Sequence, residues 1–244
     1  MIVLVTDFGL DGPYVGQVQA AILCRTPQVP VVNLFADLPA FRPESAAYLV
    51  PAFVPQFPEN TVFLCVVDPG VGTDRRAVFL SADHHWFVGP DNGMFDVICA
   101  RAGRLRVWDL EYSSADGVSS SFHGRDIFAP AASKLASGEL PPGMEREIHQ
   151  ASLEGLSEDL LEIVYVDHYG NAMTGLRANT VVESAVFIVK GHKLEFSRTF
   201  GEATPKRPFW YRNSVGLVEF AQREESVARV MDLCVGQEFS MVRD

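Results

Sequence analysis

The sequence predicts an α/β protein: an N-terminal α/β domain with a mostly parallel sheet, followed by a smaller β-barrel-like domain. Three observations carry this. Ile2–Thr6 and Thr61–Val67 are unbroken apolar runs, the pattern of strands buried on both faces. Stretches with helical spacing lie between them, giving β-α-β-α-β and hence right-handed parallel crossovers. Beyond about residue 157 the pattern turns to short apolar runs separated by turn signals, with almost no helical period. The expected division is 1–140 for the first domain, a linker over 141–157 around Pro141-Pro142-Gly143, and 158–244 for the second.

The first strand, Ile2–Thr6, stops at Asp7-Phe8-Gly9. Pro13 suits a first helical turn, and the helix should run from Tyr14 to Arg25 with Val15, Val18, Ile22 and Leu23 inward. Val31–Phe35 reads as a strand. Arg42–Val54 reads as a helix that Pro51 should kink or end. Thr61–Val67 then runs into Asp68-Pro69-Gly70-Val71-Gly72-Thr73-Asp74-Arg75-Arg76. Ala77–Ser81 and Trp86–Val88 form an expected hairpin around Asp83-His84-His85. Gly89-Pro90-Asp91-Asn92-Gly93 is a dense turn, followed by a short helix (Met94–Ala100) and a strand (Arg104–Leu110). Phe122-His123-Gly124-Arg125-Asp126 opens a helix through Leu135. In the second half, Leu161–Val166, Val181–Val189, Lys193–Phe196, Leu217–Phe220 and Glu238–Val242 read as strands, with a short helix over Glu225–Met231. Polar clusters interrupt them at Asp167-His168-Tyr169-Gly170-Asn171 and Tyr211-Arg212-Asn213-Ser214.

Composition narrows the function. The chain has 244 residues, is 48% hydrophobic and carries a net charge of -11. That balance argues against nucleic-acid binding, which needs basic surface, and leaves a cationic small molecule open. Cys24, Cys65, Cys99 and Cys234 are widely spaced with no CxxC pair, so neither a zinc site nor a disulfide framework is indicated. Buried thiols in a reducing cytoplasm are expected. No signal peptide or membrane-spanning run is evident.

Asp7, Asp68 with Arg75, Asp91-Asn92, and His123 with Asp126 all fall at strand ends or loop starts of the first domain. A parallel sheet gathers such positions at one edge. The set holds carboxylates, one imidazole and one guanidinium, without a nucleophile elbow or a phosphate-binding loop. Two chemistries suit it: metal-assisted hydrolysis through Asp7, Asp68, Asp91 and His123, or metal-free positioning of a water by Asp, Arg and His. A bland reading stands beside both, in which Asp68 caps its loop and His123 simply starts a helix.

Thr6-Asp7-Phe8-Gly9 with Tyr14-Val15-Gly16, Val67-Asp68-Pro69-Gly70-Val71-Gly72, Gly89-Pro90-Asp91-Asn92-Gly93, Phe122-His123-Gly124-Arg125-Asp126, Gly170-Asn171 and Asn213-Ser214 together resemble the S-adenosyl-L-methionine (SAM) hydroxide adenosyltransferases, relatives of the fluorinating and chlorinating enzymes. The likeness runs over nearly the whole chain. It implies cleavage of SAM by water or hydroxide to adenosine and L-methionine, with no cofactor and no metal. Asp68, Arg75 and His123 match the family's catalytic set, which the halogenating relatives lack. Asp7 matches the carboxylate that holds the ribose hydroxyls. Asp167 and Ser214 match positions at the methionine end, with Asn213 beside them, and Asn171 matches a group on the adenine. The resemblance also implies a homotrimer with its sites at subunit interfaces. Tyr169 and Gly175 stand where Phe and Asn are commoner in the family. A non-catalytic binding protein for adenosine or SAM, and a halogenating enzyme, are the remaining alternatives.

Overall fold

Strands β1 (Ile2–Thr6) and β3 (Val62–Val66) are buried along their whole length, because neither run has a polar face to offer water. They pair in parallel, from Ile2 opposite Val62 to Thr6 opposite Val66. In this computed structural model, which describes residues 1–113, 117–147 and 156–242, the pair is the centre of the first sheet. β2 (Val31–Phe35) lies beside β1 and β5 (His85–Pro90) beside β3, both parallel. Past β5 the sheet becomes antiparallel through β4 (Ala77–Ala82), β6 (Leu105–Leu110) and β7 (Gly143–Arg146), giving the order β2-β1-β3-β5-β4-β6-β7.

Helix α1 (Tyr14–Leu23) buries Val15, Val18 and Ile22. These side chains join Leu4 and Leu64 of the sheet and Ala132 and Leu135 of a later helix, α4 (Ala129–Ala136), in one apolar cluster. Leu23, expected inward, is exposed. It sits about 100° round the helix from Ile22, and the buried face is narrower than the pattern implied. The short helix α3 (Asp96–Arg101) links β5 to β6 and buries Val97 and Ile98.

The chain divides into two compact units: Met1–Ala47 with Pro55–Leu156, and Tyr48–Val54 with Ser157–Asp244. Helix α2 (Pro43–Phe53) belongs to both, and Pro51 lies inside it rather than ending it at that point. Only a short piece of helix remains after Pro51, so its missing N–H deprives a single carbonyl. Gly143–Arg146, within the stretch expected to be a linker, is the edge strand β7. The main chain of Gly143 presses so close to β6 that a Cβ there would lie 2.6 Å from the Asp109 carbonyl oxygen. Residues 148–155 of that stretch, His149 among them, fall outside the described residues.

The second unit is a curled sheet in the order β14-β10-β11-β12-β13-β9-β8. Its strands are β8 (Leu160–Val166), β9 (Ala172–Arg177), β10 (Val186–Val189), β11 (His192–Phe196), β12 (Pro208–Arg212), β13 (Leu217–Gln222) and β14 (Ser240–Val242). The β11–β12 pairing is parallel and the others are antiparallel. The two edges approach each other. Ile163 N–H donates to the Gln237 carbonyl at 3.0 Å, and Phe239 N–H donates to that of Leu161 at 3.1 Å. That contact curls the sheet into a half-barrel around Phe187, Trp210 and Phe220. The indole of Trp210 donates to the Ala185 carbonyl at 2.9 Å, which satisfies its one polar atom inside the core.

Strands β9 and β12 have no counterpart in the sequence pattern, since each adjoins a polar cluster. The run Val181–Val189 forms a strand only from Val186. Cys65 is buried and Cys99 partly so, but Cys24 and Cys234 are exposed, against the expectation of buried thiols. Among the described residues no helix is long and apolar enough to cross a membrane.

Candidate active site

The strand order reverses between β1 and β3, since β1 leads to β2 on one side and β3 lies on the other. Open α/β sheets form a crevice at the carboxyl end of such a pair. Asp7 leaves β1 there, its N–H donating to the Val66 carbonyl at 3.4 Å, and Asp68 follows β3. Asp7 is half-buried, and that burial pushes its carboxyl above the usual range. The Phe41 N–H, donating to its Oδ2 at 3.3 Å, opposes this, while the charge of Asp68 adds to it. Phe41 itself has φ of 63°, a conformation most side chains avoid, and is exposed.

Asp68 and Arg75 form an ion pair through Oδ2 and Nη2. Their side chains are only 4% and 10% exposed. Arg75 Nη2 also lies 3.4 Å from Nδ1 of His123, which is 6% exposed. A guanidinium has only donors, so Nδ1 must accept and the imidazole proton must sit on Nε2. Burial holds the His123 pKa below its ordinary value, and the Arg75 charge lowers it further, against Asp68 and Asp126. The neutral ring that this bond requires is thus the favoured form. The second carboxylate oxygen of Asp68, Oδ1, is buried and has no hydrogen-bond partner among the described residues. Such an oxygen is an acceptor waiting for a donor.

The surroundings explain how three residues distant in sequence meet. Gly72 has φ of 79°, and a Cβ there would sit 2.5 Å from the Ser120 carbonyl oxygen, so the loop after Asp68 can close only on a glycine. Arg75 Nη1 donates to the Arg76 carbonyl at 2.6 Å and its guanidinium lies over the Phe128 ring. His123 precedes a π-helical turn, Gly124–Phe128, that continues into α4. That turn is fixed from both sides. Arg125 makes two bonds to Asp126 and one to Gln17 of α1, and Asp126 accepts the Ser119 N–H at 2.9 Å.

Two residues outside the expected catalytic set support it. The Asn92 side chain donates to the Val67 carbonyl at 2.8 Å, directly before Asp68. Asp91 N–H donates to the Arg76 carbonyl at 3.0 Å, directly after Arg75, and its carboxylate pairs with Arg76 and Arg146. The turn Asp91-Asn92 therefore grips both ends of the Asp68–Arg75 loop. The dense turn cluster signalled it in the sequence. Asp91 faces arginines rather than a shared ligand position, which leaves the four-residue metal set of the alternative reading unassembled. Among the described residues no three His, Cys, Asp or Glu side chains come together as metal ligands.

The second unit gathers its own cluster. Asp167 Oδ1 accepts the Asn171 N–H at 2.8 Å and Oδ2 accepts the Asn171 side chain at 3.0 Å. The resemblance placed these two residues at opposite ends of a substrate, and the structure bonds them to each other. Asn213 Oδ1 accepts from Val215 and Leu217 N–H at 3.1 and 2.9 Å, which shapes the turn that exposes Ser214. Asn213 Nδ2 donates to Glu219 Oε2 at 2.7 Å, and the Tyr211 hydroxyl donates to Oε1 at 2.7 Å. Glu219 lies outside the sequence-derived set, although a lone charge inside Leu217-Val218-Glu219-Phe220-Ala221 was a signal.

Gly170 lets the Asp167 turn close. Its φ is 82°, and a Cβ would lie 2.5 Å from the Ser226 Cβ and 3.1 Å from the Ser226 Cα. Gly170→Ala is therefore expected to cost about 3 kcal/mol from overpacking and a disfavoured φ. Urea unfolding would show this as a lower midpoint, and an unchanged midpoint would refute it.

The chain matches known proteins along its length. The SAM hydroxide adenosyltransferase N-terminal domain matches residues 2–145, and the C-terminal domain of that family matches residues 161–240. The (R)-S-adenosyl-L-methionine hydrolase of Thermus thermophilus is 38% identical, over 95% of each chain. That of Salinispora tropica is 30% identical over 95% of this chain and 93% of its own. A crystal structure of an uncharacterized conserved protein from Thermotoga maritima superposes with a TM-score of 0.83 at 26% identity, covering 100% of both chains.

Proposed function

The chain belongs to the SAM hydroxide adenosyltransferase family, and from that premise we propose that it hydrolyses S-adenosyl-L-methionine to adenosine and L-methionine. The single observation that carries the mechanism is Asp68, whose Oδ2 is taken by Arg75 while its buried Oδ1 has no partner among the described residues. In this reading Oδ1 accepts a hydrogen bond from the attacking water. His123, neutral with its proton on Nε2, shares Arg75 Nη2 with Asp68 and donates to the same water or to the ribose. The oxygen attacks C5′ in line with the departing sulfur. A C–O bond forms, the C–S bond breaks, and its electron pair neutralises the sulfonium. The attacking oxygen, still carrying both of the water's protons, gives one of them to Asp68 and so becomes the 5′-hydroxyl of adenosine; Asp68 then passes the proton to solvent.

The leaving group is a neutral thioether and needs no acid. Positioning and partial desolvation of the water therefore carry most of the work. Asp7 is assigned to the ribose hydroxyls. Asp167, Asn213 and Ser214 are assigned to the methionine end, and Asn171 to the adenine. A metal is not part of the proposal. The homotrimer with sites at subunit interfaces and the cytoplasmic location, which suits four unpaired cysteines, belong to the same reading. Light scattering that gave a monomer mass would remove the trimer.

The test is incubation of the purified protein with SAM and excess chelator, with and without chloride, followed by product separation. Adenosine and methionine are expected in both samples. Chloro-adenosine, or SAM returned intact, would overturn the proposal.

A further inference from the structure

β13 carries a carboxylate into the interior of the second unit. Glu219 lies between Val218 and Phe220 and is 2% exposed. Among the described residues it has no ion pair, and both of its oxygens are held by neutral donors, the Tyr211 hydroxyl and the Asn213 amide. Burial pushes its carboxyl upward, and the nearby charge of Asp167 pushes the same way. A buried carboxylate without a cation works against folding.

The fold does not require that charge. A glutamine at 219 would accept from Asn213 with its oxygen and donate to the Tyr211 oxygen with its nitrogen, keeping both bonds. What the charge does is add to Asp167. The charge of Asp167 acts on Glu219, and the groups bonded to the two carboxylates, Asn171, Tyr211 and Asn213, are uncharged. Through Asn213, Glu219 also fixes the turn that carries Ser214.

We propose that Glu219 is a positioning residue for a cationic amino-acid group: it anchors Asn213 and the Ser214 turn, and with Asp167 it makes this face electronegative. The group it serves is the methionine end of the substrate, so the inference rests on the function proposed above. Glu219 acts through its neighbours and does not itself touch the ligand, since both oxygens are occupied.

Wild type, Glu219→Gln and Tyr211→Phe would be compared by three measurements: steady-state SAM hydrolysis, inhibition by adenosine, and thermal melting. Glu219→Gln is expected to raise KM for SAM about tenfold, the scale of one lost favourable charge interaction. It should change kcat less than about threefold and leave adenosine inhibition unaltered, because adenosine lacks the amino-acid end. Its Tm should equal or exceed that of wild type, since a buried charge has gone. Tyr211→Phe, which removes one donor and keeps the ring, should raise KM in the same sense by about twofold to threefold. An unchanged KM in both variants would overturn the inference. So would equal weakening of SAM and adenosine together with a lower Tm, the mark of a merely structural residue. If calorimetry shows that wild type neither binds nor hydrolyses SAM, the proposed function fails and this inference with it. If wild type does both and the variants behave like it, only the role of Glu219 fails.

Discussion

Asp68→Asn is expected to reduce kcat for SAM hydrolysis by about a thousandfold while KM changes by less than about threefold. The side chain keeps its shape, so the loop after β3 is unchanged in outline. Two things are lost. Oδ1, the buried acceptor without a partner, becomes the oxygen or nitrogen of a neutral amide. Arg75, 10% exposed, loses the anion that balances it. Leaving such a cation unpaired costs about 3–5 kcal/mol of stability, so rates must be scaled to the folded fraction measured by circular dichroism. A substitution that weakened only ground-state binding would raise KM instead. If product separation shows kcat within about twofold of wild type, Asp68 does not handle the water and the mechanism is wrong.

The legibility of this site in the sequence has a physical basis. β1 and β3 are buried on both faces, so their apolar runs are long and end abruptly, and the carboxylates just past them stand out. His123 stands out for a different reason, as a polar residue beside glycine at the start of an apolar helix. What the pattern could not show is that Arg75 joins the two, because that contact depends on a closed loop that passes over Ser120 at Gly72. The half-barrel was harder to read. β9 includes Met173, Thr174 and Gly175, and the buried Thr174 is satisfied because its hydroxyl donates to the Val218 carbonyl at 2.8 Å. Such a strand has no clean alternation. β7 is short and exposed, held by its pairing with β6 and by the Arg106–Glu145 ion pair, neither of which is visible in a local window. Glu219 breaks an apolar run, which marks the position but does not show what the carboxylate pairs with. Its partners lie upstream on a paired strand and its turn, so only the register of β12 with β13 reveals them.

His123→Asn should lower kcat by about a hundredfold and alter the shape of the pH profile. Asparagine retains an acceptor close to the position of Nδ1, so Arg75 keeps a partner, but the Nε2 proton donor is gone. In wild type the ring must be neutral to accept from Arg75, and both burial and the Arg75 charge hold its pKa below 6.5. Protonation would set a second cation against the guanidinium and break that bond. The wild-type kcat/KM should therefore be level near neutral pH and fall with acid through a midpoint below 6.5. The variant should lose that limb. Stability carries the same sign. Between the lowered folded value and 6.5, the unfolded chain holds a proton that the folded chain does not, so stability rises with pH across that window and is lost as pH falls from 6.5 through the folded value. Melting of His123→Asn should depend less steeply on pH there than melting of wild type. Asp7, whose carboxyl is raised by burial, contributes in the opposite direction at lower pH: its folded form holds a proton the unfolded form has released, so that contribution grows with acid. The two effects are separable because only the first disappears in the His123 variant. An acid limb that survived His123→Asn unchanged would assign it to another group and remove His123 from the reaction.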